Sequence, residues 1–170
     1  MSLTLRPYKP SDAAMITSWL KNEYLMRQWC ADRYEHYPVT SEDMNAYHAR
    51  YIDGRRSRAL TMTDGDEVVG YITLRTPADN PTAQRLGFVI VDDSRRGRGL
   101  GKVLVTMAVK YAFEMLGAAK VSLGVFENNP SAIRCYESTG FERVDKPEKE
   151  CYQCLGETWK CIEMECHNRI

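Results

Sequence analysis

The sequence predicts an α/β fold: a mixed, largely antiparallel twisted sheet of about six to seven strands, flanked by helices on both faces. Three observations lead there. The apolar run Phe88-Val89-Ile90-Val91 enters a glycine-spaced turn, then a long helical stripe, then the alternating Val121, Leu123 and Val125. A strand–helix–strand crossover of this kind is almost always right-handed, with its two strands parallel. Asp64-Gly65 and Gly156-Glu157 each separate two strand-like runs, which marks antiparallel hairpins beside the crossover. Finally, 170 residues with 44% hydrophobic and 27% charged side chains suit one domain, residues 1–170, around one core.

In chain order, residues 3–6 read as a short strand. Ser11 is positioned to cap a helix over residues 12–20, where Met15, Ile16, Trp19 and Leu20 recur at helical spacing. Residues 22–38 are aromatic and read as irregular. Thr40 or Ser41 starts a second helix, to about residue 51. Strands are expected over 58–63, 67–75 and 84–91, with a loop at 76–81. Leu100, Val103, Leu104, Met107, Ala108, Tyr111 and Met115 make one face of a long helix that Gly117 stops. A strand follows at 121–125. Asn129-Pro130 reads as an N-cap with proline at N1, opening a short helix that ends near Gly140. A hairpin over 152–155 and 158–166 closes the chain.

Composition excludes several classes. Lys+Arg and Asp+Glu are both 23, so the chain lacks the basic excess of a general nucleic-acid binder. No apolar run approaches the ~20 residues that span a bilayer. The first residues lack the basic and apolar regions of a secretory signal, and a cytoplasmic location is expected. Four of the six cysteines (Cys151, Cys154, Cys161, Cys166) fall within 16 residues. Cys151 and Cys154 flank an apolar stretch and Cys161 and Cys166 lie in a strand-like one, rather than on the tight glycine turns of a zinc knuckle, so they read as small apolar thiols and no metal is expected.

The chemistry concentrates in "DDSRRGRGLGK", residues 92–102. A helix N-terminus offers unpaired N–H groups and a partial positive charge, and glycines let an anion approach closely. Arg96, Gly97, Arg98, Gly99, Leu100, Gly101 and Lys102 therefore form a candidate pyrophosphate cradle. A Walker A loop fails, because Val103 follows Gly101-Lys102. A dinucleotide fingerprint fails, because the three glycines are spaced by two throughout.

Arg96-Gly97-Arg98-Gly99-Leu100-Gly101 resembles the [QR]-x-x-G-x-[GA] signature of the GNAT superfamily of N-acetyltransferases. "ENNPSAIRCYESTGF", residues 127–141, resembles that family's second signature at Asn129, Ala132, Tyr136, Gly140 and Phe141. The resemblance covers residues 84–141 well and the ends more loosely; its nearest branch is taken as the ribosomal-protein type. It implies a GNAT fold with a central β-α-β unit for acetyl-CoA as co-substrate, and direct transfer of acetyl to a primary amine of a small molecule or protein. Val89, Ile90 and Val91 would hold the pantetheine arm and offer an N–H to the thioester oxygen. Tyr136 would protonate the departing thiolate, and Asn129 would both cap its helix and touch coenzyme A.

The family's bases are missing. The position twelve before the tyrosine is Gly124, and residues 85–91 contain no acid. Glu127 is the candidate base through water, with His36, His48, Glu23 and Glu35 also in play. Trp29, Tyr34 and Tyr37 are expected to line the acceptor pocket. A homodimer through the C-terminal strands is the expected assembly. The alternative is a module of the same fold that binds or senses coenzyme A without turnover.

Overall fold

The computed structural model describes residues 1–95 and 97–169. The chain opens with β1 (Leu3–Pro7) and a 3-10 turn at Pro10–Asp12 that runs into α1 (Ala13–Ser18). Asp12, not Ser11, organises this entry. Its carboxylate is 3% exposed and accepts from Lys9 N at 2.9 Å, from Arg6 Nη1 and Nη2 at 2.8 and 2.9 Å, and from Thr61 Oγ1 at 2.9 Å. Burial works to raise its pKa, yet these donors together hold it below the usual carboxylate value.

Residues 22–38, expected to be irregular, contain α2 (Glu23–Cys30). Asn22 caps it, accepting from Leu25 N at 2.8 Å, and Met26 and Cys30 are its buried residues. Then comes α3 (Ser41–Tyr51), opened by a reciprocal capping box between Thr40 and Asp43. The remaining elements are β2 (Ser57–Asp64), β3 (Glu67–Arg75), β4 (Ala83–Val91), α4 (Leu100–Glu114), β5 (Lys120–Phe126), α5 (Pro130–Ser138), β6 (Glu142–Arg143), β7 (Cys151–Cys154) and β8 (Glu157–His167).

These strands form one sheet in the order β1-β2-β3-β4-β5-β8-β6, with β7 paired to β8. Every pairing is antiparallel except β4 with β5. The sheet has eight strands rather than six to seven; β6 is too short to leave a pattern in the sequence.

Alternation in β2 and β3 feeds both faces. Leu60, Met62, Ile72 and Leu74 share a core with Leu104, Val105 and Ala108 of α4. Ala59 and Tyr71 join Ala13, Ile16, Trp19 and Met44 from α1 and α3. Burying a side chain such as Leu104, 0% exposed, contributes about 2 kcal/mol. Packing of this kind holds α4 on one face and α1 and α3 on the other. Among the described residues, no helix is long and apolar enough to cross a membrane.

Candidate active site

The parallel pair gives the site its shape. β4 and β5 pair only at Ala83–Lys120, Gln84–Val121 and Arg85–Ser122, and then part. β4 also bulges. It uses three steps, from Gly87 to Ile90, where β3 uses two, from Tyr71 to Thr73. Phe88 sits in the bulge at φ +52°, a left-handed conformation that a bulky residue adopts only under constraint. The constraint is visible: Trp29 Nε1, from α2, donates to Phe88 O at 2.9 Å. Two free strand edges facing one gap leave backbone groups for a ligand to pair with.

The gap is a cleft of ≈ 280 Å³. Val89, Ile90 and Val91 form one wall, Leu123 to Val125 another, and Asn129, Ala132 and Tyr136 a third. Asn129 accepts from Ala132 N at 3.3 Å, so it caps α5 and lines the cleft together. Tyr136 is 8% exposed, packs against Phe141 with ring centres 5.9 Å apart, and has its phenol pKa driven well above the usual value by burial. Among the described residues its hydroxyl has no protein hydrogen-bond partner, yet it is not sealed off. Burial thus favours the protonated phenol of a residue that lines the cleft.

The glycine turn ends where α4 begins. Gly97 and Gly99 have φ of +80° and +65°, which glycine adopts without strain. Gly99 is the N-cap and no side chain caps the first turn, so its N–H groups remain available. Leu100 is buried and anchors the turn, whereas Arg98 and Lys102 are exposed beside it. Arg96 lies outside the described residues. Arg95 is tied to Asp64, Glu67 and Asp92 and is not part of the cradle. A Cβ on Gly101 would sit 3.6 Å from Cys135 Sγ, which shows α5 packed against this helix end. The uncapped turn, the free strand edges and the tyrosine suit a pyrophosphate, an extended arm and a thioester respectively.

Residues 16–141 match the acetyltransferase (GNAT) family. The chain belongs to that family. It is an acyl-CoA-dependent N-acetyltransferase, with acetyl-CoA as co-substrate. It is 26% identical over 141 residues to the spermidine N(1)-acetyltransferase of Vibrio cholerae, covering 82% of this chain and 78% of that one. It is also 26% identical over 152 residues to the aminoglycoside N(6')-acetyltransferase type 1 of Klebsiella pneumoniae, covering 84% and 75%. The crystal structure of the Vibrio cholerae enzyme in complex with CoA and spermine superposes with a TM-score of 0.81 at 22% identity, covering 98% of this chain and 95% of that one. That superposition shows the GNAT fold.

In this GNAT enzyme a second cleft, of ≈ 340 Å³, shares Gln28, Trp29, Leu86, Gly87, Phe88 and Gly124 with the first. The two therefore meet at the splay. Trp29 lines both, as well as locking the bulge. Tyr34 and Tyr37 line neither. Tyr34 is 8% exposed in a cluster with Leu20, Met26, Cys30 and Val39, and Tyr37 packs on that cluster; both support the site from behind. Glu127 is also absent from both clefts. It is an exposed residue bound to Lys149 at 2.6 Å, and that lysine holds its carboxyl below the usual value. His36 is exposed, and His48 faces away, its Nε2 2.7 Å from Tyr71 Oη.

The place of the missing base is filled. A Cβ on Gly124 would lie 2.8 Å from Cys161 Sγ and 3.1 Å from Arg85 Nη2. Arg85 is itself held by Glu163 through two hydrogen bonds of 2.8 and 3.0 Å. Sequence reading missed Gln28, Arg75, Arg85 and Glu150 as cleft residues. Gln28 lies on the unexpected helix, and its Nε2 reaches Asn128 O at 3.2 Å. The others meet only through strand register and the closing loop. Among the described residues, no three His, Cys, Asp or Glu side chains gather as a metal site, and Cys154 packs with Phe126 and Trp159.

Proposed function

We propose that this enzyme transfers acetyl from acetyl-CoA to a primary amine by direct attack in a ternary complex. The meeting of the two clefts at Gly87, Phe88 and Gly124 carries this reading: one cleft holds Tyr136 and the β4 edge, the other opens toward an acceptor. Gly97 to Lys102 bind the pyrophosphate at the α4 N-terminus. Val89 to Val91 bind the pantetheine arm through their backbone. An N–H in this bulged stretch donates to the thioester oxygen and stabilises the developing oxyanion. The amine nitrogen bonds to the thioester carbon, the carbon–sulfur bond breaks, and Tyr136 gives its proton to the departing thiolate. The amine's surplus proton leaves to solvent: Glu127 lies outside the clefts, Arg85 fills the space a base at position 124 would need, and Glu150, the carboxylate lining the acceptor cleft, already accepts from Tyr152 Oη at 2.7 Å. The same crowding counts against the ribosomal-protein-type branch, whose members often place a glutamate there. The relatives are named for spermidine and aminoglycoside acceptors, which makes those amines the reference substrates against which others are compared.

The test is initial-rate kinetics of coenzyme A release with both substrates varied. Intersecting double-reciprocal lines are expected for a ternary complex. Parallel lines would indicate an acetyl-enzyme and overturn direct attack.

A further inference from the structure

Building on that acetyl-transfer reading, we infer that the acceptor amine also carries a carboxylate or phosphate, which Arg75 binds with help from Arg33. The acceptor cleft is lined by Arg33, Arg75 and Arg85 but by only one acidic side chain, Glu150, among the described residues. Arg85 is neutralised by Glu163. Arg33 meets Asp32 at 3.5 Å, but both are well exposed, and such pairs are weak. Arg75 has no ion pair among the described residues. Arg75 is an exposed residue at the end of β3, and its guanidinium pKa is lowered by partial desolvation and by the like charges of Arg85 and Arg33, with Tyr47 and Asp79 opposing only in part.

A cation without an ion pair, with Arg33 nearby and Arg85 already neutralised, favours an incoming anion and disfavours a polycation such as the acceptor for which the Vibrio cholerae relative is named. The hollow sharing Glu150 and Cys161 with this cleft is lined by Arg143, Lys146 and Lys149 against Asp145, Glu150 and Glu163, so it adds no net charge to oppose an anion. Position also fits. Thr73 stands level with Gly87 at the splay, and Arg75 lies two residues further along β3, roughly 7 Å at a strand's rise. An acceptor with its nitrogen at the splay therefore places its anion a few bonds away.

The experiment compares the twenty common amino acids with their amides, together with phosphoethanolamine and spermidine, in wild type, Arg75→Gln and Arg75→Lys. Coenzyme A release is measured with acetyl-CoA, and amine binding by calorimetry on protein loaded with coenzyme A. The preferred acid or phosphate is expected to exceed its amide and spermidine by about tenfold or more in kcat/KM, the scale of one charge-assisted hydrogen bond. Arg75→Gln removes that preference through KM, and Arg75→Lys restores much of it. The phosphoethanolamine arm tells which anion the site takes. Equal use of acid and amide by wild type, unchanged in Arg75→Gln, overturns the anion site. Anion-selective binding without coenzyme A release overturns acetyl transfer instead and leaves the anion site standing.

Discussion

Replacing Tyr136 by phenylalanine removes a single oxygen and isolates its chemical role. The ring keeps its packing against Phe141 and its place in the core. The hydroxyl has no protein partner among the described residues, so no donor or acceptor is orphaned by its loss. Stability should change by less than about 1 kcal/mol, and coenzyme A affinity should hold within a few-fold. The rate should not. A positioned general acid contributes about 10²–10⁴-fold, or about 2.7–5.4 kcal/mol of barrier. The assay is thiol release at saturating acetyl-CoA and acceptor, with melting temperature and coenzyme A affinity measured on the same sample. The pH profile adds a sign. Burial raises the phenol pKa, so the proton is retained as pH rises. Wild-type kcat should therefore show no loss from phenol ionisation up to about pH 10, the value at which an unperturbed tyrosine titrates. Turnover by the phenylalanine variant within twofold of wild type would refute the acid role.

Three further outcomes are expected. Gly124→Ala forces a Cβ against Cys161 Sγ and should lose about 1–3 kcal/mol in chemical denaturation. Adding Cys161→Ala should restore most of that, and purely additive losses would exclude the contact. Gly99→Val places a β-branched residue at φ +65°, a strain of about 1–2 kcal/mol that must shift the first turn of α4. Calorimetry should show coenzyme A affinity falling by at least about tenfold, and unchanged affinity would remove the pyrophosphate cradle. Burial lowers the His48 pKa to about 4. Because the folded value lies below the unfolded 6.5, stability is full above pH 6.5 and declines as pH falls toward 4. The loss should be roughly 1–2 kcal/mol once the ring's partial exposure is allowed for. His48→Phe should flatten that slope, and a slope identical to wild type would assign it to other groups.

The parts of the fold that were legible rest on short-range rules. Asn129-Pro130 announced α5 because a cap and an N1 proline are adjacent residues with one structural use. Asp64-Gly65 announced a hairpin, and the apolar stripe from Leu100 announced α4. The acceptor side was illegible because its contacts are remote. Arg85 meets Ser122, 37 residues on, and Glu163, 78 residues on. No local spacing encodes a guanidinium lying across Gly124, so a strand arginine in the sequence gave no sign of filling the space of a base. Tyr34 and Tyr37 failed as pocket residues for the complementary reason. An aromatic run can wall a cleft or brace the helix behind it, and composition does not separate the two.

The helix that was missed shapes the cleft. α2 is only eight residues long, and its aromatic content masked the cap at Asn22 and the four-residue spacing of Met26 and Cys30. Yet it delivers Trp29, whose indole N–H holds the Phe88 carbonyl and with it the left-handed bulge of β4. Without the bulge, β4 would keep its register with β3, and its far edge would turn as an ordinary strand does. With it, β4 swings from β5, a gap opens, and backbone groups of the stretch that includes Val89 are left facing the cleft. The strain at Phe88 is of the order of 1–3 kcal/mol. A hydrogen bond of 2.9 Å and edge-on packing against the indole, with ring centres 5.1 Å apart, are positioned to offset it. The opening of the cleft is thus set by a contact 59 residues apart in sequence, between a helix that looked like a loop and a strand that looked regular.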